Sequence, residues 1–176
     1  MNNKLNKTTK IAAGLGLALA LSACAPLIRK APPVGAPLAE VTARLGKPTE
    51  IYPDPDGGQV LEYRGQPMGQ FQHMAKIGAD GRLQGYGQAL TSENFARIEA
   101  GRWNKDDILR NFGRPAEIAR ARPTGYGQND EEVWSYRYKE DQVWNSMMNV
   151  YFNTRGVVLR TGNTPDPLLD DRYKGF

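Results

Sequence analysis

The sequence predicts an α+β fold made of two copies of one unit, each a short helix or helix pair followed by a three-stranded antiparallel meander. Three observations lead there. Val41-Thr-Ala-Arg-Leu-Gly-Lys-Pro-Thr-Glu-Ile51 lies without a gap over Ile108-Leu-Arg-Asn-Phe-Gly-Arg-Pro-Ala-Glu-Ile118, with Gly, Pro, Glu and Ile identical. Further on, Val60-Leu-Glu-Tyr-Arg64 lies over Val133-Trp-Ser-Tyr-Arg137, and Ala75-Lys-Ile-Gly-Ala-Asp-Gly81 over Val150-Tyr-Phe-Asn-Thr-Arg-Gly156. The offset between the copies grows from 67 to 73 to 75, so the order is kept and the second copy has the longer loops. A unit of about 60 residues is marginally stable alone, which is a reason to pack two together.

The N-terminal 23 residues read as an address. Met1 to Lys10 carries three lysines and no acid, and Ile11 to Leu21 is an apolar run of eleven residues. Charged, then apolar, then small is the layout of a secretory signal peptide. The run is well short of the ~20 residues a spanning helix needs, and it lacks the polar face that a helix packed on a core would need. Leu21-Ser22-Ala23-Cys24 resembles a bacterial lipobox. That resemblance implies cleavage before Cys24, a diacylglyceryl thioether on its sulfur and an acyl chain on its amine, enough for stable anchoring. Ala25 and Pro26 follow, without the Asp that retains such proteins in the inner membrane, so the resemblance implies sorting to the outer membrane.

Residues 24–37 form a tether, with four prolines between Ala25 and Pro37 that exclude a helix. The first unit covers 38–90, the second 91–164, and 165–176 is a C-terminal tail. Leu38 to Leu45 and Asn104 to Phe112 are short helices. Asn104 is the N-cap of the second, with Asp106 and Asp107 in its first turn. Gly46 and Gly113 suit the left-handed position after a helix, and Pro48 and Pro115 prevent continuation. Ser92 to Ala100 makes a further helix, with Phe95 and Ile98 as its apolar stripe and Gly101 at its end. Val133 to Lys139 alternates, with Trp134, Tyr136 and Tyr138 on one face and Ser135 and Arg137 on the other. Met148, Val150 and Phe152 alternate next, and Asn153 to Gly156 turns the chain into Val157 to Arg160. In the first copy Phe71, His73, Ala75 and Ile77 share a face, and Ala79-Asp80-Gly81 makes the hairpin turn.

Composition narrows the chemistry. The 176 residues include one His and one Cys, so neither a Cys/His zinc site nor a disulfide framework is available. A triad would rest on His73 alone. The formal charge of +4 falls to +1 once Lys4, Lys7 and Lys10 leave with the signal peptide, so charge does not direct the chain to nucleic acid. His73 reads as a core or edge histidine. Asp54-Pro-Asp-Gly-Gly58 has no Glu at the twelfth position of a calcium loop, where Gly65 stands, and reads as a turn. Gly85-Tyr-Gly-Gln88 and Gly125-Tyr-Gly-Gln128 are identical, but neither opens a helix after a strand as a phosphate loop must. The first reads as strand and the second as loop. Glu131-Glu132 and Glu140-Asp141 flank one strand and read as solvated loop acids rather than a glycosidase pair. No catalytic residue, metal or cofactor is expected beyond the lipid on Cys24.

With these residues in view, the chain resembles the SmpA/OmlA family, the BamE-like lipoproteins of the outer-membrane assembly machinery. The lipobox at Cys24, the Gly-x-Pro after a short helix, the strand Trp134-Ser-Tyr136 and Tyr151-Phe152 before a Gly turn carry the resemblance. Ser92 to Asn163 matches better, and the first copy is degenerate because it lacks a clear first helix. The chain departs from the family in having two units and a Pro-rich tether. The resemblance implies a non-enzymatic, periplasm-facing lipoprotein of the outer membrane that binds protein in β-barrel assembly or envelope maintenance. Tandem units also resemble the β-lactamase-inhibitory proteins, which implies an enzyme-binding module instead. An envelope hydrolase is the weakest reading. Trp103, just before the Asn104 cap, is expected to staple the helix pair. Tyr126 and Trp144 fall in the loops that lengthen the second copy, and they are the expected partner-binding anchors.

Overall fold

The computed structural model describes residues 31–121 and 131–169. The chain runs α1 (Leu38–Leu45), β1 (Glu50–Pro53), β2 (Gln59–Arg64), β3 (Gln72–Ile77) and β4 (Leu83–Gln88). It continues with α2 (Ser92–Phe95), α3 (Lys105–Phe112), β5 (Glu117–Ala121), β6 (Glu131–Glu140), β7 (Trp144–Phe152) and β8 (Val158–Pro165). Two four-stranded antiparallel meanders result, ordered β1-β2-β3-β4 and β5-β6-β7-β8. The class is α+β as expected, but each meander has one strand more than the pattern predicts. The additional strands, β1 and β5, carry too short a pattern to read. Ile51 and Ile118 are exposed, so no buried face marks either strand. Both are made by pairing: the Thr49 N–H donates to Glu62 O at 2.7 Å and the Ala116 N–H to Ser135 O at 2.9 Å, starting each ladder.

The helices follow their local chemistry. The Asn104 side chain accepts from the N–H groups of Asp106 and Asp107, and the Asp107 carboxylate accepts from the Asn104 N–H, a complete capping box. Trp103, immediately before that cap, packs against the core that holds Ile108 and Phe112, the stapling contact expected of it. The expected helix from Ser92 to Ala100 stops at Phe95. Beyond it the N–H groups of Arg97 and Ile98 bond carbonyls only three residues back, so the coil tightens instead of continuing.

The repeat is visible in individual hydrogen bonds. Gly46 N–H donates to Thr42 O, and Gly113 N–H to Leu109 O. Leu83 N–H donates to Ala36 O, and Val158 N–H to Trp103 O. The Tyr63 hydroxyl reaches Gly46 O at 3.4 Å, and the Tyr136 hydroxyl reaches Gly113 O at 2.9 Å. Each pair is related by the same offsets as the sequences, and the ladder irregularities at Lys76/Ile77 and Tyr151/Phe152 coincide as well.

Each sheet buries one face beneath its own helix. Val41 of α1 closes on Leu61, Ala75, Ile77 and Leu83. The second core is larger and aromatic, with Phe95 stacked on Phe112 at 4.7 Å and edge-on to Tyr138 at 5.0 Å. It begins at Ala89 and Leu90, and Met74 of the first sheet packs against it.

Polar side chains join the halves. Glu62 is fully buried and accepts from the Tyr52 hydroxyl (2.5 Å), Arg64 Nε (2.5 Å) and the Arg114 N–H (3.2 Å). Burial, and then Glu62, push the Tyr52 phenol far above its ordinary pKa. Gln72, also buried, donates to the carbonyls of Phe112 and Arg114 at the end of α3. Arg137 does not sit on an open face as the alternation implies. It is buried, donating to Pro67 O (2.9 Å), to Glu117 (2.5 Å) and to the buried Asp166. The Gln66 side chain closes this contact by donating to Arg137 O at 2.8 Å. The polar face of the second sheet is thus where the loop between β2 and β3 lands.

Candidate functional site

Trp144 is the first residue of β7, paired with Glu140, and not a loop residue as expected. The loop is a tight turn, Asp141-Gln142-Val143, with Asp141 and Gln142 at φ +47° and +60°. The Asp141 N–H donates to Ser92 Oγ at 3.0 Å, which ties the turn to the start of α2. On this fixed tip Trp144 and Val143 are 63% and 62% exposed. The indole therefore has surface to offer a partner without being needed by the core. Tyr126 and Cys24 lie outside the described residues.

A second apolar surface was not legible in the sequence. On the face of the first sheet that α1 covers, a row of rings extends past the end of the helix. Phe71 lies 6.0 Å from His73, His73 stacks on Tyr86 at 5.4 Å, and Tyr86 meets Tyr63 edge-on at 6.3 Å. In the second sheet the corresponding residues Tyr136 and Met148 lie in the core that Phe95 of α2 joins. The rings of the first sheet are only partly buried, and Phe71 is 50% exposed. Phe71 and His73 share a face by alternation, but Tyr63 and Tyr86 join them only through the register Tyr63↔His73 and Ala75↔Tyr86. Burial lowers the His73 pKa below its ordinary value and so favours the neutral ring. It is an edge histidine, stacked on a tyrosine.

One side chain ties the loop next to Phe71 to the hairpin that carries Trp144. Gln70 donates to Tyr138 O and to Asn145 Oδ1, both at 3.1 Å. Its neighbour in sequence is Phe71, and the neighbour of Asn145 is Trp144. The loop bearing Met68 and Phe71 is therefore anchored to the hairpin bearing Val143 and Trp144, and all four are at least half-exposed. This arrangement can bind by burying rings and aliphatic groups. It brings no nucleophile and base together.

The remaining candidates resolve into structural roles. Asp54 accepts from the Asp56 N–H (3.0 Å) and pairs with Lys76 (2.8 Å), while its own N–H reaches Gly58 O, so Asp54 to Gly58 is a turn. Gly85 to Gln88 is within β4, and Gly125 to Gln128 lies outside the described residues. Glu131 pairs with Arg160 and Glu132 with Lys105, each at 2.8 Å. Lys105 holds the Glu132 carboxyl below the usual range. Glu140 accepts from Ser146 Oγ (2.6 Å) and from Asn163. Among the described residues no three His, Cys, Asp or Glu side chains gather as a metal set, and no helix is long and apolar enough to cross a membrane.

No protein-family model, curated protein or solved structure matches the chain. The functional reading therefore rests on its residues and their geometry.

Proposed function

We propose that the protein is an outer-membrane-anchored, periplasm-facing lipoprotein that binds protein partners in β-barrel assembly or envelope maintenance and performs no chemistry of its own. The charged–apolar–lipobox order ending at Cys24 supports the anchor, and the SmpA/OmlA (BamE-like) resemblance of the repeated unit supports the setting. The observation that carries the binding role is the pair of adjacent exposed residues Val143 and Trp144 held on a turn that is tied to Ser92. Isolated exposed hydrophobic residues are ordinary, whereas adjoining ones held on fixed turns mark an interaction surface.

Two experiments test this reading. Cys24→Ala is expected to leave unprocessed precursor and to remove globomycin sensitivity of processing; a wild-type mass corresponding to an unmodified chain from Met1 overturns the anchor. Crosslinking in intact envelopes with the tether present is expected to capture an outer-membrane assembly or maintenance protein. With that partner in hand, Tyr126→Ala plus Trp144→Ala should weaken capture about thirtyfold, since a central aromatic anchor contributes ~2 kcal/mol or more. Trp144→Ala by itself should barely move the melting temperature, because Trp144 is exposed. Undiminished capture removes these two rings from the interface. A crosslinked hydrolytic enzyme, inhibited on binding, would instead support the resemblance to β-lactamase-inhibitory proteins.

A further inference from the structure

The junction of the halves leaves a cleft of about 480 Å³ between the first sheet and the α2–α3 region. Its floor is the strand β4, where Gly85 pairs with Lys76 and Gly87 with Met74. Two residues apart on a strand, these glycines face the same way. A β-carbon added at either would meet nothing within 4 Å, so the backbone of β4 is bare on that side. β4 is also the outer strand of its sheet; residues 35 and 36 bond to Leu83 at one end of its outer edge and Asn94 to Gln88 O at the other, and between them Gly85 and Gly87 pair, among the described residues, with β3 alone. An extended chain can approach such a strand more closely than one that carries side chains.

One cation of the cleft is left over when its ion pairs are counted. Lys76, Arg97 and Arg110 line the cleft against a single carboxylate, Asp54. Lys76 is held by Asp54 at 2.8 Å, and Arg110 is paired with Asp107. Arg97 is exposed and has no ion-pair partner among the described residues. Because two of the three cations are already paired, the donors do not converge on one point as a small dianion requires. They are spread along a groove beside a bare strand, which suits carboxylates carried at intervals on an extended chain.

We propose that this cleft docks an extended acidic segment of a partner protein, laid along β4 with its carboxylates toward Arg97 and Arg110. The site is separate from the apolar surface around Trp144, and its occupant is recognised by charge and by strand-like shape. It stands whether or not the Trp144 surface binds as proposed above.

The test uses the full chain purified in mild detergent and a fluorescein-labelled peptide of alternating Glu and Thr, followed by fluorescence anisotropy. The peptide is expected to bind, with affinity falling as salt rises. Arg97→Glu should weaken it tenfold or more by placing like charges together. Gly87→Val should do the same by filling the floor, and neither change should lower the melting temperature, since both positions are exposed and Gly87 has open space. Trp144→Ala should leave peptide binding unaltered. The proposal is overturned if the peptide does not bind, or if a Gln-for-Glu peptide binds equally well. Displacement of the peptide by millimolar inorganic phosphate would overturn it in favour of a simple anion site. Wild-type affinity in both Arg97→Glu and Gly87→Val, or loss in Trp144→Ala alone, would place the peptide elsewhere.

Discussion

Gly113→Ala should destabilise the folded chain by roughly 3 kcal/mol or more, while the same change at Gly81 should cost only about 1. Both glycines have positive φ, +69° and +73°, so both substitutions strain the backbone. They differ in what stands opposite. Around Gly81 a new β-carbon has open space. At Gly113 it would collide with Gln72 Nε2 and lie 2.7 Å from Glu62 Cδ. Neither neighbour can withdraw cheaply. Gln72 is bonded to the Phe112 and Arg114 carbonyls, Glu62 to Tyr52, Arg64 and the Arg114 N–H, and both are fully buried. The mutation thus strikes the contact through which the first sheet grips the end of α3. Urea denaturation of the two variants beside wild type measures it. Equal midpoints for Gly113→Ala and Gly81→Ala would show that the halves are not packed this closely.

The other large effect is expected at Arg137. Replacing it by Met should cost about 3–5 kcal/mol, because Asp166 would be left buried and without its cation. The Asp166 side chain is fully buried, and its other contact from the same oxygen is the Leu168 N–H at 2.9 Å. Arg137 also donates to Pro67 O, so the same change loosens the loop that joins the halves. A paired replacement separates these contributions. Arg137→Met with Asp166→Leu removes both charges and should recover much of the loss, since the penalty of the single variant comes mainly from the stranded carboxylate. Thermal unfolding of the four members of the cycle reads this directly. If the double variant is no more stable than Arg137→Met, the ion pair is not what holds Arg137 in place.

The repeated unit links these results to the proposed binding role. In the second half α2 sends Phe95 onto Tyr136 and Tyr138, and the sheet face is closed. In the first half the corresponding rings stand half-exposed beyond α1. Equivalent positions in the two sheets are therefore core in one and half-exposed in the other. Across the Gln70 bond is the Trp144 hairpin, which reaches the surface for a different reason: a tight turn with two residues at positive φ presents the side chain outward.

Local chemistry was enough to read much of this chain from its residues. Asn104 with Asp107 specifies a cap, Gly46 and Gly113 specify helix ends, and the alternation through Trp134, Tyr136 and Tyr138 specifies a strand with one buried face. These features depend on neighbours in sequence. What depends on the other half of the molecule could not be read. β1 and β5 exist because a ladder captures them, not because their own pattern demands it. Arg137 and Glu62 look like solvent-facing strand residues until the opposite half covers them. The ring row and the basic cleft arise only when register and packing bring Tyr63, His73 and Tyr86, or Arg97 and Gly87, to one place. The period of a side-chain pattern is a property of the chain alone, whereas burial of its polar face and the opening of a cleft are properties of how two sheets meet.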